Sequence, residues 1–290
     1  MKFKVTHLTT YYYQSSVSFC HNQAILRPID NETQSVLHYS MHINPKESER
    51  DDFVDFFGNN VTQFLVQTPH QVLEVKSSAL IQKIESKKDF SKIEISVEEA
   101  TKKLEQNSQA IICAKQFLFE SELIKHSGSE IYDYAVISFE KSRNIYEACM
   151  DLMSRIFHDF AFVSGVTDVD TTVEQVLKDK KGVCQDFAHF AIACVRSVGL
   201  PAKYVSGYIE TLPPEGEEKL IGADASHAWF AVFIPDFGWC EFDPTNNQVP
   251  SVQHIVIGYG RDYADIVPLK GVVKGVGRNF VRVSVDIQRV

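Results

Sequence analysis

The 290-residue chain lacks paired cysteines: it has six, and no two of them form a C-x-x-C pair. Structural zinc sites and disulfide frameworks both depend on regularly spaced cysteines, so this scatter excludes the common forms of each. The sequence also contains no H-E-x-x-H motif. We therefore expect no metal and no cofactor, and we interpret the cysteines as reduced thiols of a cytoplasmic protein.

The chain also lacks an excess of positive charge and any long apolar run. Its formal net charge of −9 argues against a general nucleic-acid binder, because such proteins neutralise phosphates with lysine and arginine. No stretch approaches the roughly 20 apolar residues of a membrane span, and the first residues lack the apolar run of a signal peptide. We expect neither nucleic acid nor membrane as a partner.

The first part of the chain is typical of β-structure. Five short segments within residues 1–80 have alternating or β-rich patterns, and turn signals separate them. This regular spacing predicts a sandwich-like β-domain. From about residue 80 the chain becomes charged and polar, with short helical segments. We predict one domain over residues 1–145, which includes this connector, and a second over residues 146–290.

The second domain is organised around residues 181–201. From Cys184 onwards apolar residues recur every three or four positions, which predicts a helix with Cys184 in its first turn and a stop at Gly199. The free N–H groups of a helix start favour an anion, and the thiolate is the nucleophilic form of cysteine. The competing interpretation is a buried core cysteine.

Two later segments favour the catalytic interpretation. The sequence predicts a hairpin whose first strand begins near His227 and whose second strand ends at Asp243. Such a hairpin brings these two residues together at one end of a sheet, where the helix of Cys184 can meet them. A thiolate nucleophile, an imidazole that carries the proton and a carboxylate that fixes its tautomer form a catalytic triad. Taken singly, His227 is more typical of a structural histidine, and Asp243 of a turn residue.

A helix followed by several strands is an α+β pattern rather than an alternating βαβ pattern. Three motifs then identify a family: Gly-Val-Cys-Gln-Asp-Phe-Ala-His around Cys184, Ser-His-Ala-Trp around His227, and Phe-Asp-Pro-Thr-Asn around Asp243. Together they resemble the core motifs of the bacterial transglutaminase-like cysteine protease family. Further similarity lies at Leu26-Arg27-Pro28, Phe56-Phe57-Gly58-Asn59, Thr68-Pro69-His70 and Gly260-Arg261-Asp262-Tyr263-Ala264-Asp265.

The resemblance implies a papain-like α+β core, in which the helix of Cys184 packs on an antiparallel sheet, after an N-terminal β-domain. It also implies that Cys184, His227 and Asp243 form the triad. It leaves the reaction open, because this superfamily includes protein-crosslinking transglutaminases, peptidases and forms without the nucleophile. All three triad residues are present here, which argues against an inactive scaffold.

Three neighbours of the triad are candidates for contact with a substrate. Gln185 could direct its amide at the developing oxyanion, but a solvated first-turn residue is the preferred interpretation, and the Cys184 backbone N–H is the better donor. Tyr208 could line the site, although core or surface packing is the preferred interpretation, and Trp229 could form a wall of a substrate groove, with core packing as the alternative. His189 falls on another face of the helix and is predicted to be structural.

The predicted function is a cysteine protease or peptidase that cleaves an amide bond of a protein or peptide through a thioester. The alternative within the same chemistry is a transglutaminase, which transfers the acyl group to an amine. An alternative of another class is a non-catalytic protein-binding module. Hydrolysis is preferred because residues 212–225 have the composition of a solvated, mobile loop directly before His227, which would let water reach the thioester.

Overall fold

The computed structural model describes residues 1–125, 128–211 and 225–290, and they form an α+β protein with the following elements. The strands are β1 (Lys2–Val17), β2 (Phe19–Arg27), β3 (Gln34–Asn44), β4 (Glu49–Val54), β5 (Asn60–Val66), β6 (His70–Lys83), β7 (Ala161–Phe162), β8 (Lys181–Gly182), β9 (Ala202–Ile209), β10 (Ala225–Ile234), β11 (Gly238–Phe242), β12 (His254–Gly260), β13 (Leu269–Lys274) and β14 (Asn279–Arg289). The α-helices are α1 (Val97–Lys103), α2 (Gln109–Lys115), α3 (Ser129–Ser138), α4 (Ile145–Asp159), α5 (Val173–Asp179) and α6 (Cys184–Ser197).

The predicted N-terminal β-domain consists of two four-stranded antiparallel sheets. One has the strand order β14-β1-β6-β3 and the other β13-β2-β5-β4. Alternate residues of the strands are buried, as in β6, where Leu73, Val75, Ala79 and Ile81 point inward. This period of two is what a sheet with one covered face requires, and it confirms the sandwich-like fold class.

The last two strands return to this sandwich. β14 pairs with β1 along eleven residues, from Phe3 opposite Arg289 to Tyr13 opposite Asn279, and β13 pairs with β2. The division at residue 145 stays a prediction, but this strand pairing puts the C-terminal segment, which the prediction assigned to the second domain, into the sheets of the first part of the chain.

A third antiparallel sheet, with the order β11-β10-β9-β12, carries the predicted hairpin. Helix α6 packs on its strands β10 and β9 and buries an almost continuous apolar surface. The helix begins at Cys184, and it ends before Gly199, whose φ of +81° is a left-handed conformation that glycine adopts without strain. Helices α3, α4 and α5 pack around it.

Elements that the sequence reading overlooked include α1 and β12. Helix α1 lies in the charged stretch, where Ser96 and Glu99 form a reciprocal capping box: the Glu99 N–H donates to Ser96 Oγ, and the Ser96 N–H donates to Glu99 Oε2 at 2.8 Å. Among the described residues, no helix is both long enough and apolar enough to cross a membrane.

Two side-chain amides of the sandwich pair with the backbone of β12, which is an edge strand of the third sheet. The N–H of Val256 donates to Gln34 Oε1 at 2.9 Å, and Gln34 Nε2 donates to the Val256 carbonyl at 2.8 Å. Asn59 makes the same pair of contacts with Tyr259, both at 2.7 Å. Each amide therefore acts like a residue of a neighbouring strand and satisfies an otherwise unpaired edge.

The C-terminal strand should stabilise the whole molecule, because Val285 and Ile287 belong to the same apolar cluster as the residues of α6. Val285 is 2% exposed, whereas Val283 of the same strand is 50% exposed. We predict that Val285→Ala lowers the free energy of unfolding by about 2 kcal/mol and that Val283→Ala changes it by less than about 0.5 kcal/mol. Thermal unfolding followed by circular dichroism measures both variants; equal shifts would contradict a shared core.

Candidate active site

The start of helix α6 is fixed by the buried carboxylate of Asp186. Its Oδ2 accepts the N–H of Val183 and the hydroxyl of Thr167, both at 2.7 Å. A Cβ at Gly182 would lie 2.7 Å from that same oxygen, so only glycine leaves room for the carboxylate. Burial raises the pKa of Asp186, although these two hydrogen bonds favour its charged form. Together, these contacts hold Cys184 at the first helical position.

The hairpin of β10 and β11 brings His227 and Asp243 together. The imidazole Nε2 of His227 lies 2.8 Å from Oδ2 of Asp243, and both side chains are buried. Cys184 is half-buried and lies close enough to the same imidazole to change its pKa. The imidazole of His227 therefore interacts with both the carboxylate of Asp243 and the thiol of Cys184.

The carboxylate of Asp243 accepts more hydrogen bonds than the sequence reading foresaw. Its Oδ2 also accepts from Nδ2 of Asn246 at 2.7 Å and contacts Nε2 of His254 at 3.0 Å. Nδ1 of His254 accepts the N–H of Ser251, so the neutral ring carries its proton on Nε2 and donates it to Asp243. The backbone N–H groups of Thr245 and Asn246 donate to the other carboxylate oxygen.

These donors determine the charge of Asp243. Its side chain is fully buried, and burial alone would raise the pKa of the carboxyl group. Hydrogen bonds from His227, His254 and Asn246 outweigh that effect and hold the pKa of Asp243 well below its usual range. Asp243 is therefore a carboxylate at neutral pH.

Asp243 and Cys184 together raise the pKa of His227. Burial lowers the pKa of this imidazole, but the hydrogen bond to Asp243 and the interaction with Cys184 more than compensate and raise it from 6.5 to about 9. Because the folded-state pKa lies above the unfolded value, the stabilisation from the charged imidazole is fully present below pH 6.5 and is lost as the pH rises through about 9.

Asn246 and His254 are the site residues that sequence reasoning missed. Asn246 lies within the motif around Asp243, so its position was a usable signal. His254 lies eleven residues beyond Asp243 and begins a strand that was not predicted. Only the pairing of β12 with β9 brings it beside the carboxylate, and no local pattern reports that pairing.

The side chains of His227, Asp243 and His254 form a possible metal-ligand set, because one ligand atom of each lies within 4.8 Å of the others. The two histidine nitrogens are 2.8 and 3.0 Å from the Asp243 oxygen, which are hydrogen-bond distances. A zinc ion at about 2.0 to 2.2 Å from each ligand would have to replace these hydrogen bonds. The arrangement of the described residues is that of a hydrogen-bonded cluster.

The predicted lining residues lie in different places. Tyr208 is 3% exposed, and its hydroxyl group forms a hydrogen bond with Nδ1 of His7 at 2.8 Å. Trp229 is fully buried, its ring packs at 5.8 Å from that of His227, and its Nε1 donates to Glu241 at 2.9 Å. Both positions agree with core packing, because each ring has its polar atom satisfied in the interior, and the lining role of the two residues stays a prediction.

The other predicted features near the site can be placed in part. Gln185 is half-buried in the first turn of α6. His189 is buried, and its Nε2 accepts the N–H of Tyr263 at 3.1 Å, as a structural histidine does. The predicted mobile loop over residues 212–225 falls, up to residue 224, outside the described residues.

We predict that Asp243→Asn lowers the pKa of His227 by about two units, because the variant removes the charge that stabilises the imidazolium while burial remains. The wild-type value is about 9, so the fall is measurable by NMR titration of the imidazole protons. Asp236→Asn is the matched control: it lies at the opposite, exposed end of the same hairpin, in its turn. An unchanged His227 pKa in Asp243→Asn would contradict the charge assignment.

Comparison with known proteins agrees with the fold described above. Residues 3–82 match the bacterial transglutaminase-like N-terminal region, and residues 134–244 match the transglutaminase-like superfamily. A crystal structure described as "a Putative Cysteine Protease from Cytophaga hutchinsonii" has a TM-score of 0.79 with 23% sequence identity, covering 99% of this chain and 90% of that one. At that identity the similarity shows the fold.

Sequence relatives include one that matches nearly the whole chain and one that matches a third of it. An uncharacterized protein of Mycobacterium tuberculosis is 36% identical over 99% of this chain and 92% of its own length. A protein-glutamine gamma-glutamyltransferase of Pseudomonas aeruginosa is 30% identical over 34% of this chain, which is 15% of that protein. Both family models describe transglutaminase-like proteins, and the residues they match include nearly all of the sandwich strands β1–β6, the helix that begins at Cys184 and the hairpin of His227 and Asp243. The chain therefore belongs to the transglutaminase-like superfamily.

Proposed function

We propose that this protein is a cysteine hydrolase that cleaves an amide bond of a protein or peptide substrate. Cys184 is the nucleophile, and His227 carries the proton. Asp243 orients the imidazole of His227 and stabilises its protonated form. The observation that carries this proposal is the position of the His227 imidazole, which contacts the Asp243 carboxylate at 2.8 Å and also interacts with Cys184.

The chemistry follows from these three positions. His227 takes the proton of the Cys184 thiol, and the sulfur attacks the amide carbonyl to form a tetrahedral intermediate, whose oxyanion faces the N–H of Cys184 at the helix start. His227 then gives this proton to the leaving amine as the C–N bond breaks, which leaves a thioester on Cys184. A water molecule gives a proton to His227 and attacks the thioester; the C–S bond breaks, the acid is released and His227 returns the proton to the sulfur.

His254 and Asn246 serve as positioning residues in this proposal. Each donates to the oxygen of Asp243 that contacts His227, at 3.0 and 2.7 Å respectively. They hold the carboxylate in the plane and distance that the imidazole needs, and they keep it charged when the imidazole loses its proton. Among the described contacts neither residue touches Cys184. His254 acts through Asp243, whereas Asn246 also approaches the imidazole, with its Nδ2 3.3 Å from Nε2 of His227.

The acyl acceptor distinguishes the two reactions of this chemistry. Water is present at about 55 M, so an amine competes only where a site binds it and shields the thioester. The polar, proline- and glycine-containing sequence of residues 212–225 supports open access of water and therefore hydrolysis. The partial similarity to a protein-glutamine gamma-glutamyltransferase supports transfer to an amine as the second candidate. The presence of all three triad residues argues against a purely binding role.

We also propose a cellular location for the protein, on the basis of the redox state of its cysteines. All six cysteines are free thiols in the structure, and four of them are buried. Free thiols suit the reducing cytoplasm, which we propose as the location of the protein.

To test this proposal, the protein is incubated with a peptide digest of a cell lysate and an excess of a primary amine such as cadaverine. The products are identified by mass spectrometry. We expect cleaved peptides or free acids to exceed amine adducts, because water outcompetes an unbound amine. Cys184→Ala should abolish both kinds of product.

Cys113→Ala is the matched control, since Cys113 is exposed and lies on helix α2, away from the site. This variant should keep wild-type turnover. Predominant amine adducts would favour the transglutaminase function, and products that persist in Cys184→Ala would show that another group is the nucleophile. If wild-type protein and Cys184→Ala both yield no product, the binding-module alternative gains support.

A further inference from the structure

A cavity of about 480 Å³ lies where the sandwich, the connector and the third sheet meet. It is lined by the turn after β2, by the segment around Lys88, and by residues of β9, β11 and β12. Cys184, His227 and Asp243 are not among its lining residues. Pockets of this size at such junctions are the usual places for small ligands, so the cavity is a candidate site separate from the triad.

The cavity contains a buried lysine. Lys203 of β9 is 8% exposed, and its Nζ lies 3.4 Å from the ring centroid of Tyr259 and 4.4 Å from that of Trp239. Within the part of the chain that the structure describes, this nitrogen has no hydrogen-bond acceptor and no carboxylate within ion-pair distance. Burial lowers the pKa of Lys203 to about 7, although Glu241 opposes that shift.

The carboxylates near Lys203 are already engaged. Oε2 of Glu241 accepts Nε1–H of Trp229 at 2.9 Å. Glu32 pairs with Lys88 at 3.4 Å, and its side chain is 80% exposed. Lys203 lines the cavity and, among the described residues, has donor hydrogens without an acceptor, while the rings of Tyr259 and Trp239 stabilise its charge without accepting a directional hydrogen bond.

We propose that this cavity binds a small organic acid, whose carboxylate accepts a hydrogen bond from Lys203 and whose apolar part packs against Trp239 and Tyr259. A carboxylate is the acceptor that suits a partly buried ammonium best, because a charge-assisted hydrogen bond is about twice as strong as a neutral one. Lys88 adds a second positive charge at the rim, where its Nζ donates to the carbonyl of Trp239 at 3.4 Å.

The experiment compares 3-phenylpropanoate with 3-phenylpropanamide, which differ in the carboxylate alone. Binding of each probe to the full-length protein is measured by saturation-transfer NMR titration. We expect the acid to bind saturably below about 10 mM, and the amide to bind at least tenfold more weakly, because the amide offers no charge to the ammonium. Equal binding of the two probes, or no saturable binding of the acid, would overturn the proposal.

Variants assign the binding to this cavity. Lys203→Met keeps the aliphatic stem and removes the ammonium, so it should weaken binding of the acid at least tenfold. Lys102→Met is the matched control, because Lys102 is an exposed lysine of α1 that pairs with Glu98, and it should bind the acid like wild type. Unchanged affinity in a folded Lys203→Met protein would place the probe elsewhere and refute the site. Were that variant unfolded, Lys88→Met, which removes the second positive charge at the rim, should weaken binding of the acid instead, and unchanged affinity in that variant would refute the site.

Discussion

The buried charge of Asp243 is the constraint on which the arrangement of the third sheet depends. An ionised carboxylate without partners in a protein interior costs several kcal/mol, so its donors must be kept in place. They come from three parts of the chain: His227 from β10, His254 from β12, and Asn246 with the backbone of the turn after β11. Strands β10 and β12, which flank β9, and the turn after β11 are thereby joined around one oxygen atom.

The two parts of the chain share a core, which explains why the sandwich and the site belong together. Phe3 and Val5 of β1, and Val285 of β14, lie in the same apolar cluster as the buried residues of α6. Gln34 and Asn59 of the sandwich complete the edge of β12, the strand that supplies His254. A change in the sandwich can thus reach the carboxylate through β12, without any contact with Cys184.

The sequence predicted the parts of the fold and the site that depend on local patterns. The helix of Cys184 was predicted from its apolar period and glycine stop, and the hairpin from its strand pattern, so His227 and Asp243 came together as expected. The positions of His254, Tyr208 and Trp229 depend on which strands pair and which face is covered. Those facts are decided by tertiary packing between distant segments, which a local period does not report.

The most direct test of the account is the rate at which iodoacetamide alkylates individual cysteines, read by mass spectrometry at neutral pH. We expect half-buried Cys184 to react at least tenfold faster than the exposed Cys113, because the imidazolium of His227 stabilises the thiolate that attacks the reagent. His227→Asn should remove this advantage. If Cys113 reacts as fast as Cys184, or if His227→Asn leaves the rate of Cys184 unchanged, the thiol is not activated as we propose.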